Sequence, residues 1–246
     1  MYILGCRLDL IDADEACARI LAQAREGRGA QVVTLGTEMV VYAQRDDGFR
    51  AIVNACALSL CDTVGLLAVA RRRGATLRER VTGIDLIQHL CEHAANEGLP
   101  IFFLGGAAGV AADAAAILEV QYPGLVVAGA HDGYFDPDRA AEVVAEIRAS
   151  GARLLLAGLG SPRQEYWLAE HLCETGCSVG IGVGGSFDVI SGRIERAPRL
   201  LRRFGLEWLY RLMKEPRRWR RQLALAQFLW LVTLETIGFR FRRATT

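Results

Sequence analysis

Residues 153–167 read RLLLAGLGSPRQEYW. An apolar run stops at Gly158, a turn carries a second glycine and Ser161-Pro162, and Tyr166-Trp167 begin a helical pattern. A strand that runs into a glycine turn and restarts as a helix is one βα unit. Such a turn can hold a phosphate, because the first amides of a helix have no intrahelical partner and absent side chains let a ligand approach the backbone. A tightly packed turn needs glycine as well, so this stretch alone leaves both readings open.

The same pattern repeats outward from it. Short apolar runs at 31–35, 57–61, 100–104, 125–129 and 177–183 are strand candidates, and Tyr2–Asp12 reads as a strand or hairpin leading into a helix at Ala13–Glu26. Helical patterns at Ile84–Glu97, Val110–Gln121 and Arg139–Ala149 lie between them, punctuated by Gly98-Leu-Pro100, Tyr122-Pro-Gly124 and Asp136-Pro-Asp138. Alternation of this kind predicts an α/β fold, a Rossmann-like and mostly parallel sheet with helices on both faces. Ligands of such sheets bind beyond the carboxyl ends of the strands. Three strand ends run into glycine there: Leu104-Gly105-Gly106-Ala-Ala-Gly109, Gly158-Leu-Gly160-Ser-Pro162 and Gly182-Val-Gly184-Gly185-Ser-Phe-Asp188. Three such turns on one edge point to a large phosphorylated ligand. None completes GxGxxG, and GxxxxGK[ST] is absent, which counts against a plain dinucleotide or P-loop site.

With 246 residues and 52% hydrophobic content, the chain can bury a core. Seven scattered cysteines without a CxxC pair argue against a disulfide framework or a zinc site. The opening MYILGCRLDLIDADEA lacks a basic leader and a small-residue cleavage site, so a cytoplasmic location is expected. Residues 193–246 carry 14 Arg or Lys against 4 Asp or Glu, a net +10, whereas residues 1–192 sum to −9. The predicted division is therefore a core at 1–195 and a basic, aromatic-rich helical appendage at 196–246. A block of this charge suggests nucleic acid or an anionic membrane as partner. Asp12-Ala-Asp14 and Asp136-Pro-Asp138 have the DxD form of a metal site, but each stands where a helix begins and reads better as a cap. His89 and His93, four apart on a helix, lack an evident third ligand.

The runs RVTGIDL (80–86), FLGG (103–106), HDGYFDP (131–137), GLGSPRQEYW (158–167), GVGGSFDVISGRIERAP (182–198) and GLEWLYRLMKEPRRWRR (205–221) together resemble the WecG/TagA/CpsF glycosyltransferase family. The resemblance spans nearly the whole chain in order. It implies inverting transfer of N-acetylmannosamine, its uronic acid or glucose from a UDP-sugar to a polyprenyl-diphosphate-linked saccharide at the inner membrane face, in cell-surface polysaccharide synthesis. It implies Asp62 as the catalytic base, Arg80 on the diphosphate, and Thr34 and Gln164 as polar contacts. The family's Pro-Asp-Gly is here Cys61-Asp62-Thr63, and its common Asn is here Gly36, with Thr37 as the substitute contact. Gly105, Gly106, Gly184 and Gly185 are the expected backbone cradle, with Tyr134 and Asp188 at the nucleoside end. No cofactor and no obligatory metal are expected. Arg163 and Glu165 read as an ion pair or as helix-start charges.

In the tail, Arg217, Arg218, Arg220 and Arg221 surround Trp219, and the apolar stretch 223–234 follows. Spanning a bilayer takes about 20 apolar residues, and Gln222, Gln227 and Glu235 interrupt this run. A helix lying on an anionic leaflet suits it better. Arg211 and Arg218 are further candidates to complete the active site over the acceptor. Two other classes each explain part of the pattern. A nucleotide-dependent oxidoreductase accounts for the sheet and glycines but not the tail. A nucleic-acid-binding protein accounts for the tail but leaves the glycine turns without a task, so no nucleic-acid partner is expected; self-association is left open.

Overall fold

The computed structural model describes residues 1–27, 29–198, 201, 207–214 and 219–238. Its frame is a six-stranded sheet of β3 (Ala30–Leu35), β4 (Leu58–Cys61), β5 (Ile101–Gly105), β6 (Val127–His131), β7 (Leu154–Gly158) and β8 (Val179–Gly182), in the order β4-β3-β8-β7-β5-β6. Every neighbouring pair in it is parallel. All six strands therefore point their carboxyl ends to one edge. The amino-terminal segment forms the separate antiparallel hairpin β1 (Tyr2–Ile3) and β2 (Cys6–Arg7), followed by α1 (Ala13–Glu26).

The strands are apolar on both sides because both faces are covered. On β5, Ile101 and Phe103 join one core cluster while Phe102 and Leu104 join another; Leu154 and Leu156 are separated from Leu155 and Ala157 in the same way on β7. The first face packs against α1, α5 (Gly83–Glu97), α6 (Val110–Gln121) and α9 (Ser186–Ile190). The opposite face is covered in two parts. Helices α7 (Ala140–Ser150) and α8 (Arg163–Thr175) lie over one half. The other half is covered by α2 (Thr37–Tyr42), α3 (Asp47–Ala55) and α4 (Val64–Arg72), with side chains from the carboxy-terminal part of the chain.

That carboxy-terminal part holds α10 (Glu207–Lys214) and α11 (Trp219–Thr236). Helix α11 docks on α2. Its Phe228 is completely buried and Leu231 nearly so, in the cluster that contains Met39, Val40 and Leu66. Arg73 at the end of α4 pairs with Glu235 at the end of α11. No helix among the described residues is long and apolar enough to cross a membrane.

Two expectations shift in detail. The strand expected at 125–129 begins at Val127, because the Leu125 amide donates to Tyr122 O at 3.0 Å and closes a turn there. Helices α2, α3 and α4 occupy stretches that carried no clear helical signal; with 6, 9 and 9 residues they are too short to display a full period over an 11- to 18-residue window. Of the seven cysteines, all free, only Cys173 is exposed. Burial pushes the Cys6 thiol up to about 11 and those of Cys17, Cys56 and Cys91 to about 12, so these four stay protonated at neutral pH.

Candidate active site

A cleft of about 700 Å³ opens at the carboxyl edge of the sheet, and all six strands contribute to it. Thr34 and Gly36 come from the end of β3, Asp62 and Thr63 from just after β4, and Gly106 from after β5. Gly133 and Tyr134 follow β6, Gly158 to Ser161 follow β7, and Val183 to Gly185 follow β8. Of the residues singled out in the core sequence, Thr34, Thr37, Asp62, Arg80, Gly106, Tyr134, Gln164, Gly184, Gly185 and Asp188 all line it. Gly105 stands one residue behind the lining.

The backbone explains how residues so distant in sequence converge. The Asp62 amide donates to Leu35 O at 3.1 Å, which continues the β3–β4 ladder one step past the strand and sets Asp62 at the rim. The Val81 amide donates to Cys61 O at 2.7 Å, which brings Arg80 to the same strand end. Their proximity is felt by the buried Cys61 thiol: burial first, then the Asp62 charge, push it up to about 12 against the pull of Arg80 and Arg71. A carboxylate and a guanidinium thus flank one strand terminus, on the cleft side.

The polar floor is tied together by side chains. Thr34 Oγ1 donates to Gly182 O at 2.8 Å, linking β3 to β8, so its hydroxyl hydrogen is already committed. Gln164, in the first turn of α8 and only 2% exposed, accepts from the Gly184 amide at 3.0 Å and donates through Nε2 to Glu165 Oε1 at 2.7 Å. Thr82 caps α5, accepting from the Asp85 amide at 3.2 Å and donating to Asp85 Oδ2 at 2.7 Å; Arg196 pairs with the same carboxylate. Tyr134 is 82% exposed and stands at the mouth.

The glycines of the three turns divide into two kinds. A Cβ on Gly105 would lie 2.5 Å from Gly158 C and O, so this pair is small because two strand ends nearly touch. Gly160 and Gly184 instead have positive φ, 79° and 55°, with nothing within 4 Å of where a Cβ would be. These two leave open space beside backbone in a conformation other residues seldom adopt. The two glycines of 158–160 therefore serve different ends: Gly158 serves packing, and Gly160 faces room for a ligand.

Arg163 and Glu165 stand in the first turn of α8, one of the two readings given for them, but not as an ion pair with each other. The Arg163 guanidinium lies 5.1 Å from the Phe135 ring centre, and Glu165 turns inward to complete burial. The first aspartate of each DxD stretch caps: Asp12 accepts from the Glu15 amide at 2.9 Å and Asp136 from the Asp138 amide at 3.1 Å. Both histidines sit on α5, with His89 Nδ1 3.5 Å from Asp14 Oδ1. No group of three or more His, Cys, Asp or Glu side chains among the described residues is arranged to hold a metal ion.

Among the lining residues to which the sequence reading gave no role are Glu38, Thr63, Ser161, Leu225 and Leu229. Leu225 and Leu229, one turn apart on α11, form an apolar wall beside Val64 and Ala68 of α4. Of the tail residues singled out for the acceptor or the membrane, Arg217 and Arg218 lie outside the described residues, as do the side chains of Arg211, Trp219, Arg220 and Arg221.

A carboxylate, an arginine and helix-start amides around a half-apolar cleft fit proton removal beside a developing anion. Comparison with known proteins gives the class of reaction. The family model described as "Glycosyl transferase WecG/TagA/CpsF family" matches residues 1–242. The chain belongs to this glycosyltransferase family. A similar protein of Bacillus spizizenii, an N-acetylglucosaminyldiphosphoundecaprenol N-acetyl-beta-D-mannosaminyltransferase, is 34% identical over 207 residues, covering 84% of this chain and 80% of the relative. The glycosyltransferase class thus stands in place of the oxidoreductase and nucleic-acid-binding readings.

Proposed function

We propose that the enzyme transfers a hexosyl unit with inversion from a UDP-sugar to a saccharide carried on a polyprenyl diphosphate. The observation that carries this reading is the meeting, in one cleft, of Asp62, Arg80, the open glycine turns and an apolar wall from α11. Asp62 removes the proton of an acceptor hydroxyl as that oxygen bonds to the sugar C1 from the face opposite the nucleotide. The C1–O bond to the diphosphate breaks at the same centre, and UDP leaves with the electron pair. Arg80 and the amides around Gly160 and Gly184 receive that charge, a task for which a guanidinium fork and helix-start N–H groups are suited. Thr37 and Gln164 orient the sugar or the acceptor, while Asp188 and Tyr134 take the nucleoside end.

The relative's name supports an acceptor of diphosphoundecaprenol type and an N-acetylmannosaminyl donor. The apolar side of the cleft at Leu225 and Leu229 suits the lipid end of such an acceptor, and the +10 charge of residues 193–246 suits attachment to an anionic inner leaflet. We place the enzyme at the cytoplasmic membrane surface on these grounds, working in cell-surface polysaccharide synthesis. The test is a panel of UDP-sugars offered with a lipid-diphosphate acceptor to the wild type and to Asp62→Asn. Transfer from at least one donor, with inverted product and a loss of about 10²-fold or more in kcat for Asp62→Asn, is expected. Transfer at the wild-type rate by the variant, or from no donor at all, overturns the reading.

A further inference from the structure

The turn at 158–165 ends in an acid that the cleft does not expose. Glu165 is completely buried, and its Oε1 accepts from Gln164 Nε2 at 2.7 Å. The Gln164 oxygen is in turn occupied by the Gly184 amide at 3.0 Å. Space for this pair exists because residue 182 is glycine: a Cβ there would lie 2.6 Å from Gln164 Nε2 and 3.1 Å from Glu165 Oε1. The chain thus runs from the interior, through two side chains at the start of α8, to the backbone of the turn after β8. Gly184 is one of the two cleft glycines with open space beside it.

A glutamine amide has one oxygen and two N–H groups, and it can flip end for end unless its partners distinguish them. Here they do. A carboxyl oxygen receives the nitrogen, and a backbone N–H receives the oxygen. Flipping Gln164 would set its nitrogen against the Gly184 N–H and its oxygen against Glu165 Oε1, so the bond to the turn is lost whatever the state of the acid, inside the protein, where an unmade bond is costly. With one Nε2 hydrogen taken by Glu165, the second is left for the cleft that Gln164 lines.

We infer that Glu165 is a positioning residue for transfer: it holds the Gln164 amide in the one orientation that presents an N–H to a substrate oxygen while its oxygen anchors the Gly184 turn. The inference rests on the cleft being the transfer site. A Glu165 kept for packing alone would change stability and leave the kinetic coupling to Gln164 absent.

The test is a double-mutant cycle in kcat/KM with Gln164→Ala and Glu165→Met, beside Glu165→Gln, which keeps an acceptor oxygen. Each of the first two is expected to lose about tenfold or more. The double variant is expected to fall no more than about threefold below either single variant, since both break one device. Glu165→Gln is expected to rescue most of the loss seen with Met. Losses that multiply in the double variant, or a Glu165→Gln enzyme as poor as Glu165→Met, overturn the inference. If Glu165→Met fails to fold, Gly182→Ala takes its place, since its methyl displaces the same amide while both partners stay. Hydrogen exchange at the Gly184 amide supplies a readout that needs no substrate: faster in Gln164→Ala and Glu165→Met, near wild type in Glu165→Gln. Unchanged exchange in Glu165→Met refutes the positioning even if transfer is never observed, whereas absent transfer with the expected exchange pattern counts against the proposed reaction alone.

Discussion

Glu165 shows what a single residue reveals only in three dimensions. From its place in PRQEYW it reads as a charge in the first turn of a helix, a position that favours acids through the helix dipole. In the structure it is buried behind that turn. Burial raises its pKa, Gln164 and Ser161 pull it down by favouring the charged form, and the nearby Glu38 pushes it up again. A carboxyl whose folded pKa lies above its unfolded one holds its proton more tightly when folded. Its contribution to stability is therefore whole below the ordinary carboxylate range and is lost as pH rises through the raised value. Glu165→Gln removes that dependence. Thermal unfolding at about pH 5 and about pH 8 is expected to show the variant gaining stability relative to wild type at the higher pH; a constant difference would mean that Glu165 is ionised in the native state. Asp62, Arg80, Thr34 and Gln164, by contrast, were singled out through the family resemblance, and the structure sets all four on the lining of the cleft.

At the scale of elements, strands and long helices could be read because their patterns fit one period over many residues, as α5 at Gly83–Glu97 does. Helices α2 and α4 could not, and with them went Glu38 and Thr63. Leu225 and Leu229 were hidden for another reason: they reach the cleft through contacts some 160 residues apart in sequence, between α11 and the α2–α4 corner. The seam is close. A Cβ on Gly65 of α4 would lie 2.8 Å from Thr37 Cγ2 and 3.3 Å from Leu225 Cδ1. Phe228 is the anchor, fully buried among residues of α2, α3 and α4. Phe228→Ala is expected to cost about 3–5 kcal/mol by denaturant unfolding and to speed amide exchange along α11. Trp230, two residues on but 63% exposed, is the control: Trp230→Ser is expected to stay within about 0.5 kcal/mol of wild type. Equal effects of the two substitutions would show that α11 is not held by its Phe228 side.

The whole molecule is an electrostatic couple, −9 over residues 1–192 and +10 over 193–246. This asymmetry is invisible in the net charge of +1 and follows from sequence alone. The structure adds that α11 bears two faces. Phe228 and Leu231 enter the core, while Leu223, Leu229 and Trp230 are more than half exposed. A surface of this kind beside a cleft mouth, joined to four arginines at 217, 218, 220 and 221, fits an anionic leaflet better than free solution. Each basic residue near such a leaflet contributes about 1 kcal/mol, so replacing these four with glutamine removes about 4 kcal/mol, or about 10³ in partition. The acidic body cannot compensate, because its charge has the wrong sign. Cosedimentation with vesicles rich in anionic lipid is therefore expected to be lost in the four-glutamine variant. In the wild type it should weaken as salt shortens the Debye length from about 30 Å at 0.01 M to about 8 Å at physiological strength. Binding that survives both changes would assign attachment to the apolar face of α11 alone. In that case Leu223→Ser with Leu229→Ser, and not the arginines, would release the protein.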